Sequence, residues 1–143
     1  YYNFTSPEPL GMVAVIAPEK LSLLGFVHVV APVVVAGNTC VAIASERYPL
    51  AAMTLAEVIA TSDVPAGVIN ILTGLKNELL PWVASHMEID GIDISGADAK
   101  TEIELRISGS ENLKRIHRFE NHPDLQRILA YMESKTVWHP IGI

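Results

Sequence analysis

Pro32-Val33-Val34-Val35-Ala36-Gly37-Asn38-Thr39-Cys40-Val41-Ala42-Ile43-Ala44-Ser45-Glu46-Arg47-Tyr48-Pro49 decides the fold. The stretch reads as the end of an apolar helix, a Gly37-Asn38 break, a short buried strand over 39–44 and a turn into the next helix. That is the joint of an α/β unit. Gly37-Asn38 is read as a helix end in a left-handed conformation rather than as a ligand contact. A nucleotide would bind beyond the end of the strand.

Outward from this joint, secondary-structure signals alternate. Upstream, the β-branched run 12–17 lies between Gly11 and Pro18 and predicts a first buried strand. A helix over 22–36 follows, which Ser22 could cap and Pro32 should kink. Downstream, Pro49 suits the first position of a helix to about 61, with Leu50, Met53, Leu55, Ala56 and Ile59 near a 3.6-residue period. A turn at 63–67, a strand at 68–72, a helix at 78–87, a strand at 89–94 and a stretch at 100–107, which alternates as either helix or strand and is read as helix, complete the series. Asp90 and Asp93 interrupt the fourth strand and suggest a sheet edge. Strict alternation with long crossovers predicts an α/β fold: an open, doubly wound, Rossmann-like, mostly parallel sheet with flanking helices.

From Phe119 the composition changes. Residues 120–124 read as a linker and 123–132 as a short helix, while Thr136-Val137-Trp138 is a short extended piece with nothing local to pair with. It is a candidate arm that docks on the sheet edge or on a second subunit. The expected division is a nucleotide-binding-type domain at 1–118 and a linker, helix and oligomerisation-type tail at 119–143.

The totals agree with one domain of 143 residues, half of them hydrophobic and 18% charged. A net charge of -6 gives no basic footprint for nucleic acid or an anionic membrane surface. The apolar run 21–36 is too short and too broken for a membrane span. A single cysteine, Cys40, and no signal-peptide order suggest the cytoplasm. A start at Tyr1 suggests a processed product or a piece of a longer chain.

Several ordered stretches resemble the cofactor-binding domain of the aldehyde dehydrogenase superfamily over roughly residues 9–118. They are Leu10 to Pro18, Ala36-Gly37-Asn38-Thr39, Ser45-Glu46, Pro49-Leu50, Pro65 to Gly74, His86, Ser95-Gly96 and Asn112-Leu113-Lys114-Arg115-Ile116. The resemblance implies NAD or NADP as cofactor and makes Ser45, Glu46, Gly74 and Gly96 the remaining, vestigial cofactor contacts.

The same resemblance exposes departures at the catalytic positions. The family's Pro-Trp-Asn, whose asparagine helps form an oxyanion hole, is Pro18-Glu19-Lys20 here, so Lys20 replaces the asparagine. The family's Lys-Pro-Ser-Glu is Ile43-Ala44-Ser45-Glu46, which leaves Glu46 without its ribose-binding lysine. Leu75 to Trp82 replaces small residues that admit adenine between two helices, and its bulk should fill that slot. Asp98 should occupy the helix end offered to the pyrophosphate. Phe119 falls where the general-base glutamate belongs, and the nucleophilic cysteine lies in a half absent from this sequence. Cys40, in the second strand, reads as a small core residue. His117, His122 and His139 lack metal-ligand spacing, so no metal site is expected.

Three functional readings follow. The first is a catalytically silent domain serving in assembly, similar to the incomplete C-terminal copy of two-part members, with no cofactor. Its partners would be a second copy or a full-length aldehyde-dehydrogenase-like subunit, not nucleic acid or membrane. The second is the NAD(P)-binding portion of an active enzyme whose catalytic half lies outside this sequence. The third keeps the pocket but turns Lys20 and Lys76 toward an anionic metabolite.

Overall fold

The structure is a computed structural model that describes residues 1–120 and 124–142. The elements run β1 (Tyr2–Pro9), β2 (Met12–Ile16), α1 (Ser22–Val35), β3 (Thr39–Ile43), α2 (Leu50–Ala60) and β4 (Ile69–Leu72). They continue with α3 (Lys76–Ser85), β5 (Gly91–Asp93), α4 (Ala99–Ser110), β6 (Arg115–His117), α5 (Leu125–Leu129) and β7 (Met132–His139). Strands β2 to β6 form one parallel sheet in the order β4-β3-β2-β5-β6, which is the doubly wound architecture the alternation predicts. No helix among the described residues is long and apolar enough to cross a membrane.

The period-2 alternation of the inner strands builds two cores. Val13, Val15 and Ala17 with Cys40, Ala42 and Ala44 pack beneath Phe26, Val29 and Val33 of α1. Ala14, Ile16, Ile43, Ile92 and Ile94 pack beneath Leu80, Val83 and Ala84 of α3 and Leu105 of α4. The first face carries α1, α2 and α5; the second carries α3 and α4.

Gly37 adopts φ +89, the left-handed helix end expected of it. Asn38 behind it is buried and ties three segments together: its Oδ1 accepts from the Gly11 amide at 2.8 Å, and its Nδ2 donates to the carbonyls of Val33 at 3.2 Å and Tyr131 at 2.9 Å. Helix α1 runs unbroken through Pro32, and its first residue is preceded by Leu21 at φ 55 with no side-chain cap, so Ser22 does not cap it.

Three of the expected elements need correction, and one strand of the main sheet was not expected. Strand β5 is interior, between β2 and β6: Asp93 is fully buried against Arg127, and Asp90, exposed just before the strand, accepts from the Met12 amide through Oδ2 at 2.9 Å. Residues 115–117 form an edge strand that the sequence does not announce. The helix expected over 123–132 spans only Leu125–Leu129 before β7 begins. The arm at 136–138 belongs to an eight-residue strand that does not extend the main sheet. It pairs antiparallel with β1, Tyr2 opposite His139 and Pro9 opposite Met132. The expected linker falls largely at residues 121–123, which with His122 lie outside the described residues.

Candidate functional site at the reversal of the sheet

From β2 the chain steps to β3 and β4 on one side and to β5 and β6 on the other. Ligands of open α/β sheets bind in the crevice outside the carboxyl ends of the strands at such a reversal. Here a side chain of the protein itself lies in it. The ammonium of Lys76, at the start of α3, donates to the carbonyl of Ala17 just beyond β2 at 2.8 Å and to that of Gly96 beyond β5 at 3.4 Å. It also lies 2.5 Å from the Glu19 carboxylate.

Glu19 is the second member of this lock. Its carboxylate accepts from the Ser45 hydroxyl at 2.7 Å and from the amides of Glu46 at 3.2 Å and Arg47 at 3.1 Å. Burial alone would raise the Glu19 carboxyl, but the Lys76 ammonium, the Ser45 hydroxyl and the two amides together hold it down at about 2. Glu46 is also engaged, since its Oε2 accepts from the Lys76 backbone amide at 2.9 Å and so satisfies the first turn of α3. Asp98 does the same for α4, accepting from the Thr101 amide at 2.7 Å. Both helix starts that border the crevice are thus met by the chain's own carboxylates.

Gly96 is fixed by close approach. A Cβ there would lie 2.3 Å from the Ala17 carbonyl carbon and oxygen and from the Ile16 oxygen, so the backbone beyond β5 could not carry a side chain against the end of β2.

Above this floor a cleft of about 760 Å³ opens between α3 and α4. The expectation that Leu75 to Trp82 would fill it is therefore corrected. Leu80, Val83 and Ala84 turn into the core, and Trp82 points outward, 74% exposed, so that Leu75, Leu80, Pro81, Ala84 and Ala97 wall the cleft without filling it. Four acids line the cleft, Glu19, Glu46, Asp98 and Glu104, against three bases, Arg47, Lys76 and Lys100. The formal balance is -1, which disfavours a polyanion.

The remaining sequence candidates lie apart from it. Lys20 is exposed and absent from the cleft lining, so only Lys76 of that pair reaches the pocket. Of the four cofactor candidates, Glu46 and Gly96 line the cleft, Ser45 is buried beneath it through Glu19, and Gly74 lies outside the lining. Cys40 is fully buried, and burial with the nearby Asp93 charge pushes its thiol up to about 12, far from a reactive thiolate. No group of three metal-ligating side chains occurs among the described residues.

Phe119 packs against the first core, stacked on His117 and edge-on to Tyr131. The Arg127 guanidinium lies 5.0 Å from its ring centre. Arg127 reaches in from α5 to pair with Asp93 at 3.2 Å and to contact the Ser95 hydroxyl at 3.2 Å. Glu19 as an acceptor and Arg127 as a buried cation were not singled out from sequence. The available signal for Glu19 was position, because it and Lys76 follow strands that end on the same side of the sheet.

Comparison with known proteins agrees with the fold. The sequence model of the Aldehyde dehydrogenase family matches residues 1–118. Retinal dehydrogenase 2 of Homo sapiens is 36% identical over 116 residues, which cover 81% of this chain and 22% of that protein. Aldehyde dehydrogenase 1A1 of Equus caballus is 33% identical over 116 residues, covering 81% and 23%. A crystal structure of a putative aldehyde dehydrogenase from Burkholderia cenocepacia superposes with a TM-score of 0.76 at 30% identity, covering 81% of this chain and 24% of that one. An aldehyde dehydrogenase C mutant from Pseudomonas syringae, in complex with NAD+ and octanal, gives 0.74 at 28%, again covering 81% and 24%. The chain thus spans under a quarter of the length of these relatives. With 118 of its 143 residues matched and the same doubly wound sheet, the chain belongs to the aldehyde dehydrogenase family.

Proposed function

We propose that this chain is a non-catalytic aldehyde-dehydrogenase-like module that serves in assembly, with residues 1–118 as its body, α5 and Tyr131 of residues 119–143 completing its first core, and the β7 arm as the docking tail. The observation that carries the reading is the Lys76 ammonium in the reversal crevice, held by the Ala17 and Gly96 carbonyls and Glu19. A dinucleotide's pyrophosphate would have to displace that ion pair and approach helix starts already met by Glu46 and Asp98. The residues present do not fit NAD or NADP.

Ser45, Glu46, Gly74 and Gly96 are then remnants of a cofactor site. Lys20 and Phe119 stand where the resemblance puts the oxyanion-hole asparagine and the general base, and Phe119 packs half-buried against the first core. The partner is a second copy or a longer aldehyde-dehydrogenase-like subunit in the cytoplasm, approached through the β1-β7 ribbon, which exposes Tyr2, Phe4 and Trp138. Calorimetric titration with NAD and NADP tests the first part: absence of heat at sub-millimolar cofactor is the expected result, and saturable binding overturns it. Light scattering tests the second, where a monomer unchanged by deleting residues 134–143 counts against assembly.

The open cleft favours one alternative, the NAD(P)-binding portion of an active enzyme completed by sequence outside this chain. Aldehyde oxidation by the product of the whole reading frame, if that frame encodes a cysteine-bearing half, would establish it.

A further inference from the structure

Four donors from two separate segments converge on one carboxylate. The Ser45 hydroxyl and the amides of Glu46 and Arg47 come from the bend after β3, and the Lys76 ammonium comes from the start of α3. Convergence of charge-assisted and backbone donors on a single acceptor is how proteins hold oxyanions. Ser45 is buried and the Lys76 side chain is only 14% exposed, so the donors are held in place. The Ser45 oxygen is further fixed by accepting from the Tyr48 amide at 3.0 Å.

The acceptor is tethered only by its own side chain. Glu19 lies in the loop between β2 and α1, lines the cleft and is partly exposed. Removing its carboxylate would leave the four donors facing an open cavity with their acceptor gone. Another acid of the cleft, Glu46, already accepts from the Lys76 amide.

We propose that these four donors form a receptor for a small oxyanion, and that Glu19 is its resident anion, keeping free carboxylates and phosphates out while it is in place. The proposal goes beyond the non-catalytic reading and does not rest on it, because small-anion probes report on the receptor whether or not a dinucleotide binds.

The test uses the full chain and follows thermal unfolding during titration with inorganic phosphate and, separately, acetate, with chloride at matched ionic strength as control. Glu19→Ala should unfold at a lower temperature than wild type and regain stability saturably with the fitting oxyanion, by mass action. The unsubstituted protein should show no response beyond the chloride control. A response to acetate alone marks a carboxylate receptor, and one to phosphate marks a phosphate receptor. Adding Lys76→Met to Glu19→Ala should abolish it. If Glu19→Ala does not fold, Glu19→Gln is titrated in its place, with a weaker saturable response expected. A variant that folds without responding, an equal response in wild type, or a response that survives Lys76→Met overturns the proposal.

Discussion

Replacing Arg127 by Met should cost more than any surface substitution in this chain, because it strands a charge. Asp93 and Arg127 side chains are 1% and 3% exposed and lie 3.2 Å apart. Removing one partner of such a pair leaves a buried, uncompensated carboxylate, at about 3–5 kcal/mol. Each kcal/mol corresponds to about 3–4 °C in a domain of this size, so the midpoint should fall by about 10–20 °C. The Asp93→Asn/Arg127→Met double variant should recover most of this. The amide that replaces the carboxylate would be neutral, and its carbonyl could still accept from the Ser95 amide, as Asp93 Oδ1 does at 2.9 Å. What stays lost is chiefly the contact with the Phe119 ring, about 1 kcal/mol. Urea unfolding of wild type, both single variants and the double variant closes the cycle, with a coupling of at least about 2 kcal/mol expected. A single Arg127→Met cost below about 1 kcal/mol, or additive single costs, would refute the reasoning.

Other expectations follow from the same lock. Because the folded Glu19 carboxyl is held at about 2 against an ordinary 4.5, the unfolded chain binds more protons between those values. Its stabilisation is present above pH 4.5 and is lost as the pH falls toward 2. After discounting for partial exposure this amounts to about 1–2 kcal/mol, so Glu19→Gln should flatten the decline of the unfolding midpoint across that window. An unchanged slope would count against the network. Gly96→Ala places a methyl 2.3 Å from backbone atoms of residues 16 and 17 and should destabilise by about 3 kcal/mol or more; a near-neutral result in urea would mean that the two strand ends can part.

The main sheet was legible because its inner strands are short apolar runs bounded by turns, and the Gly37-Asn38 break fixed where α1 ends and β3 begins. Strand β5 was misread for a physical reason. Asp93 lies on the alternate face from Ile92 and Ile94, a pattern that looks solvated until a cation 34 residues away is brought to it. Strand β1 carries Pro7, Pro9 and exposed polar residues, and its partner begins 130 positions later, at Met132, so neither strand announces the other. Ribbon strands without further neighbours tolerate proline, which removes the usual signal. At the site, the family resemblance drew attention to Lys20, the residue standing where an asparagine was expected. The geometry instead joins Glu19 beside it to Lys76, a pairing that needs the sheet order as well as the sequence. Glu46 was legible as a residue near the site, but its use in satisfying α3 was not, because that hydrogen bond joins the bend after β3 to the start of α3, 30 residues on.

If the reversal crevice is held by the protein itself and not by a dinucleotide, the backbone around Lys76 should be indifferent to cofactor. The most direct test is an amide-resolved NMR titration of the full chain with NAD, following the backbone signals of Glu46, Arg47, Lys76 and Gly96. These four signals are predicted not to move at sub-millimolar cofactor. Saturable shifts at these positions in that range would contradict a crevice closed by Lys76 and Glu19.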